Sequence, residues 1–199
     1  MIKLLAAALL AAPLHAAPAA LAVDSPGIWN RALALIRPQS AEVALNARFM
    51  QGSAWLDVDD AGLGINLTGT YTTNGVVRFS GRAGTGLTFE ARPLASDPKP
   101  YGYQFVSNAV AARVVRFGDG FTLDGRAGAK PLSWTIRRDR MPDSWEIVGR
   151  DGTRLTAWIT PTYAQVRGRF DPEKMTPEGV AALGAAIALM FSQGPNAAP

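Results

Sequence analysis

GVAALGAAIALMF, residues 179–191, contains no polar side chain along its whole length. Thr176 can cap a helix over this run, Pro177 suits its first turn, and Glu178 lies near the positive end of the helix dipole. Gln193-Gly194-Pro195 ends the helix, and residues 193–199 read as a loose tail. A surface helix needs a polar side, whereas one that is apolar all round is enclosed by protein or by lipid. Thirteen residues rise only ~20 Å against ~30 Å of bilayer hydrocarbon, which disfavours a membrane span. The segment therefore calls for a protein wall.

The preceding sequence supplies one. From Val43 to Phe170 short runs of alternating character are punctuated by Gly, Asn and Asp. Leu132, Trp134 and Ile136 alternate with Ser133, Thr135 and Arg137; Trp145 and Ile147 alternate with Ser144 and Glu146. Such alternation marks half-buried antiparallel strands. Asp59-Asp60-Ala61-Gly62 reads as a hairpin turn with solvated acids, Asn74-Gly75 as a two-residue type I′ turn, and Asp151-Gly152 as another two-residue turn. About a dozen strands result. Eight strands fill their own barrel with side chains, and a dozen leave room for a filler. A helix is ~10–12 Å across, so residues 179–191 fit as a rod threaded through a β-barrel. Val180, Leu183, Ile187 and Met190 form its bulky stripe, and Ala181, Ala185, Ala186 and Ala188 allow close approach. A lipocalin-like open barrel is the competing fold and would leave the helix outside.

The run WEIVGRDGTRLTAWI (145–159), one further strand, Asp171-Pro172-Glu173 and the apolar helix together resemble the tubby-like fold. Tubby, the phospholipid scramblases and the LURP-one-related proteins share it. The resemblance covers the architecture from about residue 43 to 192 and implies a closed barrel of twelve strands around a hydrophobic C-terminal helix. No segment here resembles a scramblase calcium motif or a tubby phosphoinositide site, and fold likeness does not carry function with it.

The amino terminus points to export. Met1-Ile2-Lys3, the apolar Leu4–Leu10 run and Ala20-Leu21-Ala22 form the three parts of a secretory signal peptide over residues 1–22, with an earlier cleavage site possible in principle after Leu14-His15-Ala16. No cysteine follows, so lipoprotein processing is ruled out, and a periplasmic or secreted location is expected. Residues 23–42 read as a short helix (Ser25–Arg37, stopped by Pro38) and a linker, and residues 43–192 as the barrel domain.

Cleavage leaves 177 residues with formal charge +3, no cysteine and no histidine, because His15 is the only one. That removes the Ser-His-Asp triad, the cysteine nucleophile and the His-based zinc site. A non-enzymatic protein without cofactor is expected. The remaining catalytic routes are a Ser-Lys pair or paired carboxylates, the latter a glycan hydrolase with two acids facing each other at about 5–10 Å. Asp57, Asp59 and Asp60 are the densest acids, but Ala61 breaks the EF-hand spacing. Gly118-Asp119-Gly120 and GRAGTG (81–86) lead into no helix and read as turns rather than phosphate cradles.

Arginine carries the binding signal, since its planar fork pairs with phosphates and carboxylates. Arg137, Arg138 and Arg140 cluster at one strand end, Arg150 and Arg154 flank a hairpin, and Arg167 and Arg169 share a face with Tyr163 and Gln165. These residues could serve anionic lipid headgroups or another envelope polyanion, or form an ordinary solvated surface paired with Asp139, Asp143 and Glu146. Nucleic acid is not expected. Trp55, Trp134 and Trp145 read as core or girdle packing; Trp158, out of phase with Leu155, Ala157 and Ile159, is expected to be exposed and would suit an envelope protein partner.

Overall fold

The structure, a computed structural model, describes residues 40–49, 55–72, 74–94 and 101–192. The leader, the Ser25–Arg37 helix and the 193–199 tail lie outside the described residues. So does the Ala95–Pro100 loop that divides the two groups of strands.

Twelve strands follow in order: β1 (Ala41–Phe49), β2 (Trp55–Asp60), β3 (Ile65–Tyr71), β4 (Val77–Ala83), β5 (Thr85–Pro93), β6 (Gly102–Val106), β7 (Val110–Phe117), β8 (Gly120–Ala127), β9 (Lys130–Arg138), β10 (Ser144–Gly149), β11 (Arg154–Ile159) and β12 (Tyr163–Phe170). Each pairs antiparallel with its sequence neighbours. The Ala41↔Phe170 to Arg48↔Tyr163 ladder closes β1 onto β12, so no edge is left open. The first strand starts at Ala41, two residues ahead of the boundary expected at 43.

Helix α1 (Pro177–Phe191) fills this barrel. The Thr176 hydroxyl accepts from the Gly179 N–H at 3.3 Å, as the sequence anticipates. Every residue from Gly179 to Met190 is buried. The rod packs on β1 and β2 along one wall and on β7 and β8 along the opposite one. Four strands separate those pairs on either side of the ring, so α1 bridges the interior. Gly184 makes the closer approach: a Cβ there would stand 2.5 Å from Val58 Cγ1 and 2.9 Å from Leu45 Cδ2. Large side chains fill the flanks. Phe79, Phe89 and Phe105 stack in series from β4, β5 and β6, with centroids 5.0 and 5.2 Å apart, and Trp134 and Trp145 stand inward from β9 and β10. The closed, helix-filled barrel expected from the sequence is therefore the fold, and the competing open barrel with the helix outside is not.

Because every connection is a hairpin, the barrel has two distinct ends. The entry end, where α1 begins, carries the β2–β3, β4–β5, β6–β7, β8–β9 and β10–β11 turns. The exit end carries the other connections. At the exit, Arg116 Nη2 donates to the Met190 carbonyl at 2.8 Å, placing a guanidinium at the negative pole of the helix. The Tyr71 hydroxyl and Ser192 Oγ lie 2.9 Å apart beside it.

Four local expectations are corrected. Asp60 is fully buried rather than solvated: its carboxylate accepts from Ala44 N at 2.8 Å and Leu63 N at 3.1 Å. Strand β2 pairs β1 only from Asn46 to Phe49, so this carboxylate takes over where the ladder stops. The Asn74-Gly75 connection holds three residues, since Thr72 N bonds Val76 O at 2.8 Å; Gly75 takes the left-handed φ of 71°. Likewise Gly149 N bonds Thr153 O at 2.8 Å around a three-residue loop with Gly152 at φ 87°. Such loops place glycine at the left-handed position after a turn, not at both centres of a type I′ turn. Ser144, expected outside with Glu146, is buried opposite Trp158.

Candidate functional site

The seven arginines singled out from the sequence occupy three places. Strand β9 alternates, so Arg137 faces outward on the wall, whereas Arg138 stands at the exit end beside Trp145 and Phe191. Arg140 follows in the exit-end loop. The expected Arg137–Arg138–Arg140 cluster is therefore divided, because consecutive strand residues point to opposite faces. Arg150 sits at the entry end.

The remaining four make a belt across the outer wall. Glu146 is the cross-strand partner of Arg137 and accepts both its Nε and Nη2, at 2.9 and 2.6 Å. Its other oxygen meets Arg154 Nη1 at 2.9 Å. The β11–β12 ladder begins at Leu155↔Gly168, so Arg154 and Arg169 lie just beyond its first pair on neighbouring strands, with Arg167 opposite Thr156. Arg167 and Arg169 are exposed, and no ion pair joins either to a carboxylate among the described residues. Glu42 faces Arg169 across β1–β12 without closing on it. The expected pairing with acids thus holds for Arg137 and Arg154 and fails for the β12 pair. Tyr163 and Gln165, on the same face, bond to Asn46 Oδ1 at 2.7 and 3.4 Å.

A second triad escaped the sequence reading. Glu90 bridges Arg78 at 3.0 Å and Arg92 at 2.9 Å on the far wall. Hydrogen bonds from Arg78 and then Arg92 hold its carboxyl below the usual glutamate range. The signal available was the outward phase of all three residues; only the β4–β5 register, Arg78↔Glu90, brings them together. Burial raises the pKa of the phenols of Tyr71 and Tyr103 above the usual range, with the Ser192 hydrogen bond opposing this at Tyr71.

Two concavities flank the rod. At the entry end a cleft of about 750 Å³ is bordered by Asp124, Lys130, Arg150, Asp151, Glu173 and Lys174 over a Trp134 floor. Lys130 Nζ is already bonded to the Glu173 carbonyl. At the exit end a notch of about 320 Å³ lies between Arg138 and Asp143, floored by Trp145, Ile159 and Phe191. No group of three or more acidic, histidine or cysteine side chains among the described residues could hold a metal ion. Asp57 and Asp59 point outward, to Thr68 and Asn46, while Asp60 points inward.

Trp158 is exposed, as its phase in β11 predicts; Trp55, read as core or girdle packing, is exposed as well, at the first position of β2. No helix among the described residues is long and apolar enough to cross a membrane. No family model matches the chain, and neither the curated proteins nor the solved structures searched give a match.

Proposed function

We propose that this chain is an exported, non-catalytic binding protein of the cell envelope that takes anionic groups, lipid headgroups or another phosphate-bearing polyanion, on the outer belt of β11 and β12. The observation that carries this reading is the pair Arg167 and Arg169: exposed, adjacent to Arg154 and without an acid closing on either. Guanidiniums left unpaired on a stiff sheet keep their donors available for an oxyanion and need no reordering to receive it. The absence of histidine and cysteine after residue 22 supports a binding rather than a catalytic role, and the leader-like residues 1–22 support export. The helix-filled twelve-strand architecture supports kinship with the tubby-like fold, whose members supply no residue roles here.

Sedimentation with vesicles of equal phosphatidylglycerol and phosphatidylcholine, set against phosphatidylcholine alone, tests the belt. Anionic vesicles should bind more tightly, and Arg167→Ala with Arg169→Ala should weaken that binding several-fold, with the loss shrinking as salt rises. Equal weak binding to both vesicle types, unmoved by the substitutions and repeated with soluble polyphosphate, removes the reading.

A protein-interaction module of the envelope is the second reading, favoured by exposed Trp158. A partner that stays crosslinked at high salt would support it over a headgroup contact.

A further inference from the structure

Six large apolar side chains are exposed among the described residues; one, Val106, ends β6 at the entry end, and the other five gather at the opposite end. Trp55 begins β2, Tyr101 precedes β6, Phe117 ends β7, Met141 lies in the β9–β10 loop, and Trp158 stands next to last in β11. By strand direction all five belong to the exit end. Phe117 is 75 % exposed and Met141 67 %, far beyond what packing requires. Tyr101, Phe117, Met141 and Trp158 occupy successive junctions from β6 to β11, an arc of roughly 25 Å at ~4.8 Å per strand. Guanidiniums are interleaved with them. Arg113 donates to the Tyr101 hydroxyl at 2.7 Å, Arg116, one residue before Phe117, is held on the Met190 carbonyl, and Arg138 and Arg140 precede Met141 in the chain. Among the described residues the acids of the exit-end loops are Asp119, Asp139 and Asp143, and Asp139 is engaged by Arg140 N and Ser144 Oγ.

We infer that the exit end is a membrane-docking rim, with the barrel standing end-on upon an anionic lipid surface. Trp and Tyr settle at the headgroup level of a bilayer, where a ring is half apolar and half wet, and arginine between them meets lipid phosphate. Protein interfaces instead bury a contiguous apolar core. Here the apolar groups project singly from separate hairpins, with charge between them and a polar helix terminus at the centre. Phe117 and Met141 are the insertion points, and the Arg138 notch takes a headgroup between them. The inference shares the lipid branch of the proposed function but depends on different residues and sets a different orientation.

The chain has no cysteine, so single labels can be placed cleanly. Phe117→Cys and Met141→Cys in the full chain, carrying a polarity-sensitive fluorophore, report the rim. Asp151→Cys reports the entry end and Arg167→Cys the belt. With the equimolar phosphatidylglycerol–phosphatidylcholine vesicles, the two rim labels should brighten several-fold, shift to the blue and resist iodide quenching, while the Asp151→Cys label stays unchanged. Phe117→Ser with Met141→Ser should weaken vesicle binding about tenfold or more, the scale of two exposed apolar side chains, without altering the thermal midpoint. A change at the Arg167→Cys label with silent rim labels overturns the rim and leaves the belt standing. Silence at all labels without sedimentation overturns both. Rim labels that respond to protein concentration alone, before vesicles are added, overturn the lipid inference in favour of a second copy.

Discussion

The inner and outer surfaces of the same wall are built from the same strands but obey different energetics. Inside, Leu183, Ile187 and Leu189 are surrounded by side chains from opposing walls, and each burial is worth about 2 kcal/mol. Outside, Arg137, Arg154, Arg78 and Arg92 make short ion pairs while remaining mostly solvated, and such pairs contribute ~0–1 kcal/mol. The interior is therefore where stability lies, and the exterior can change its charges at little cost to the fold. A binding surface made of arginine can be gained, lost or moved on this barrel without rebuilding it.

Leu183→Ala should give the largest effect, a destabilisation of about 3 kcal/mol, and a fall of roughly 6–12 °C in Tm by calorimetry. A change below 0.5 kcal/mol would mean that α1 is not held from all sides. Asp60→Ala comes next, about 2–3 kcal/mol in urea unfolding, because the Ala44 and Leu63 amides lose a charged acceptor inside the wall. Faster hydrogen exchange at those two amides locates the damage. Gly184→Ala should destabilise by about 1–3 kcal/mol, since the new methyl meets Val58 and Leu45 side chains that can yield only partly.

The smallest effects belong outside. Arg78→Ala should leave Tm within a degree or two, yet raise the Glu90 carboxyl towards the ordinary value in an NMR titration. The sign follows from the depressed native value. Glu90 adds stability above the unfolded glutamate pKa of ~4.3, and that contribution is lost as pH falls through the lower folded value. The buried phenols behave oppositely: Tyr71 and Tyr103 contribute fully below ~10, and stability declines as pH rises from there through their raised values. An ultraviolet titration in which every tyrosine ionises together near 10 would contradict their burial.

Legibility in the sequence follows the same division. Residues 179–191 have no water-facing side, and the strands have period two, so the enclosure of α1 and the inward phase of Trp134 and Ile147 could be read directly. Trp158 followed from the same alternation. Asp60 could not, because a carboxylate beside a glycine turn looks solvated until the ladder on β1 runs short. Arg137 and Arg138 looked clustered because sequence proximity ignores the two faces of a strand. The Arg78–Glu90–Arg92 triad needed a register, and the apolar rim needed strand directions. Both are properties of pairing rather than of any single segment.

The position of α1 after all twelve strands governs assembly. A chain leaving the ribosome amino terminus first can form its hairpins one by one, each closing only a short loop. It cannot fill the ring, because the segment that occupies the interior follows every strand. Until Pro177–Phe191 emerges, the inward faces of β1 to β12 have nothing to enclose, and closing the β1–β12 seam would wrap an empty interior. A product truncated before Thr176 would thus present an open apolar sheet with two unpaired edges, a substrate for chaperones or proteases rather than a smaller barrel.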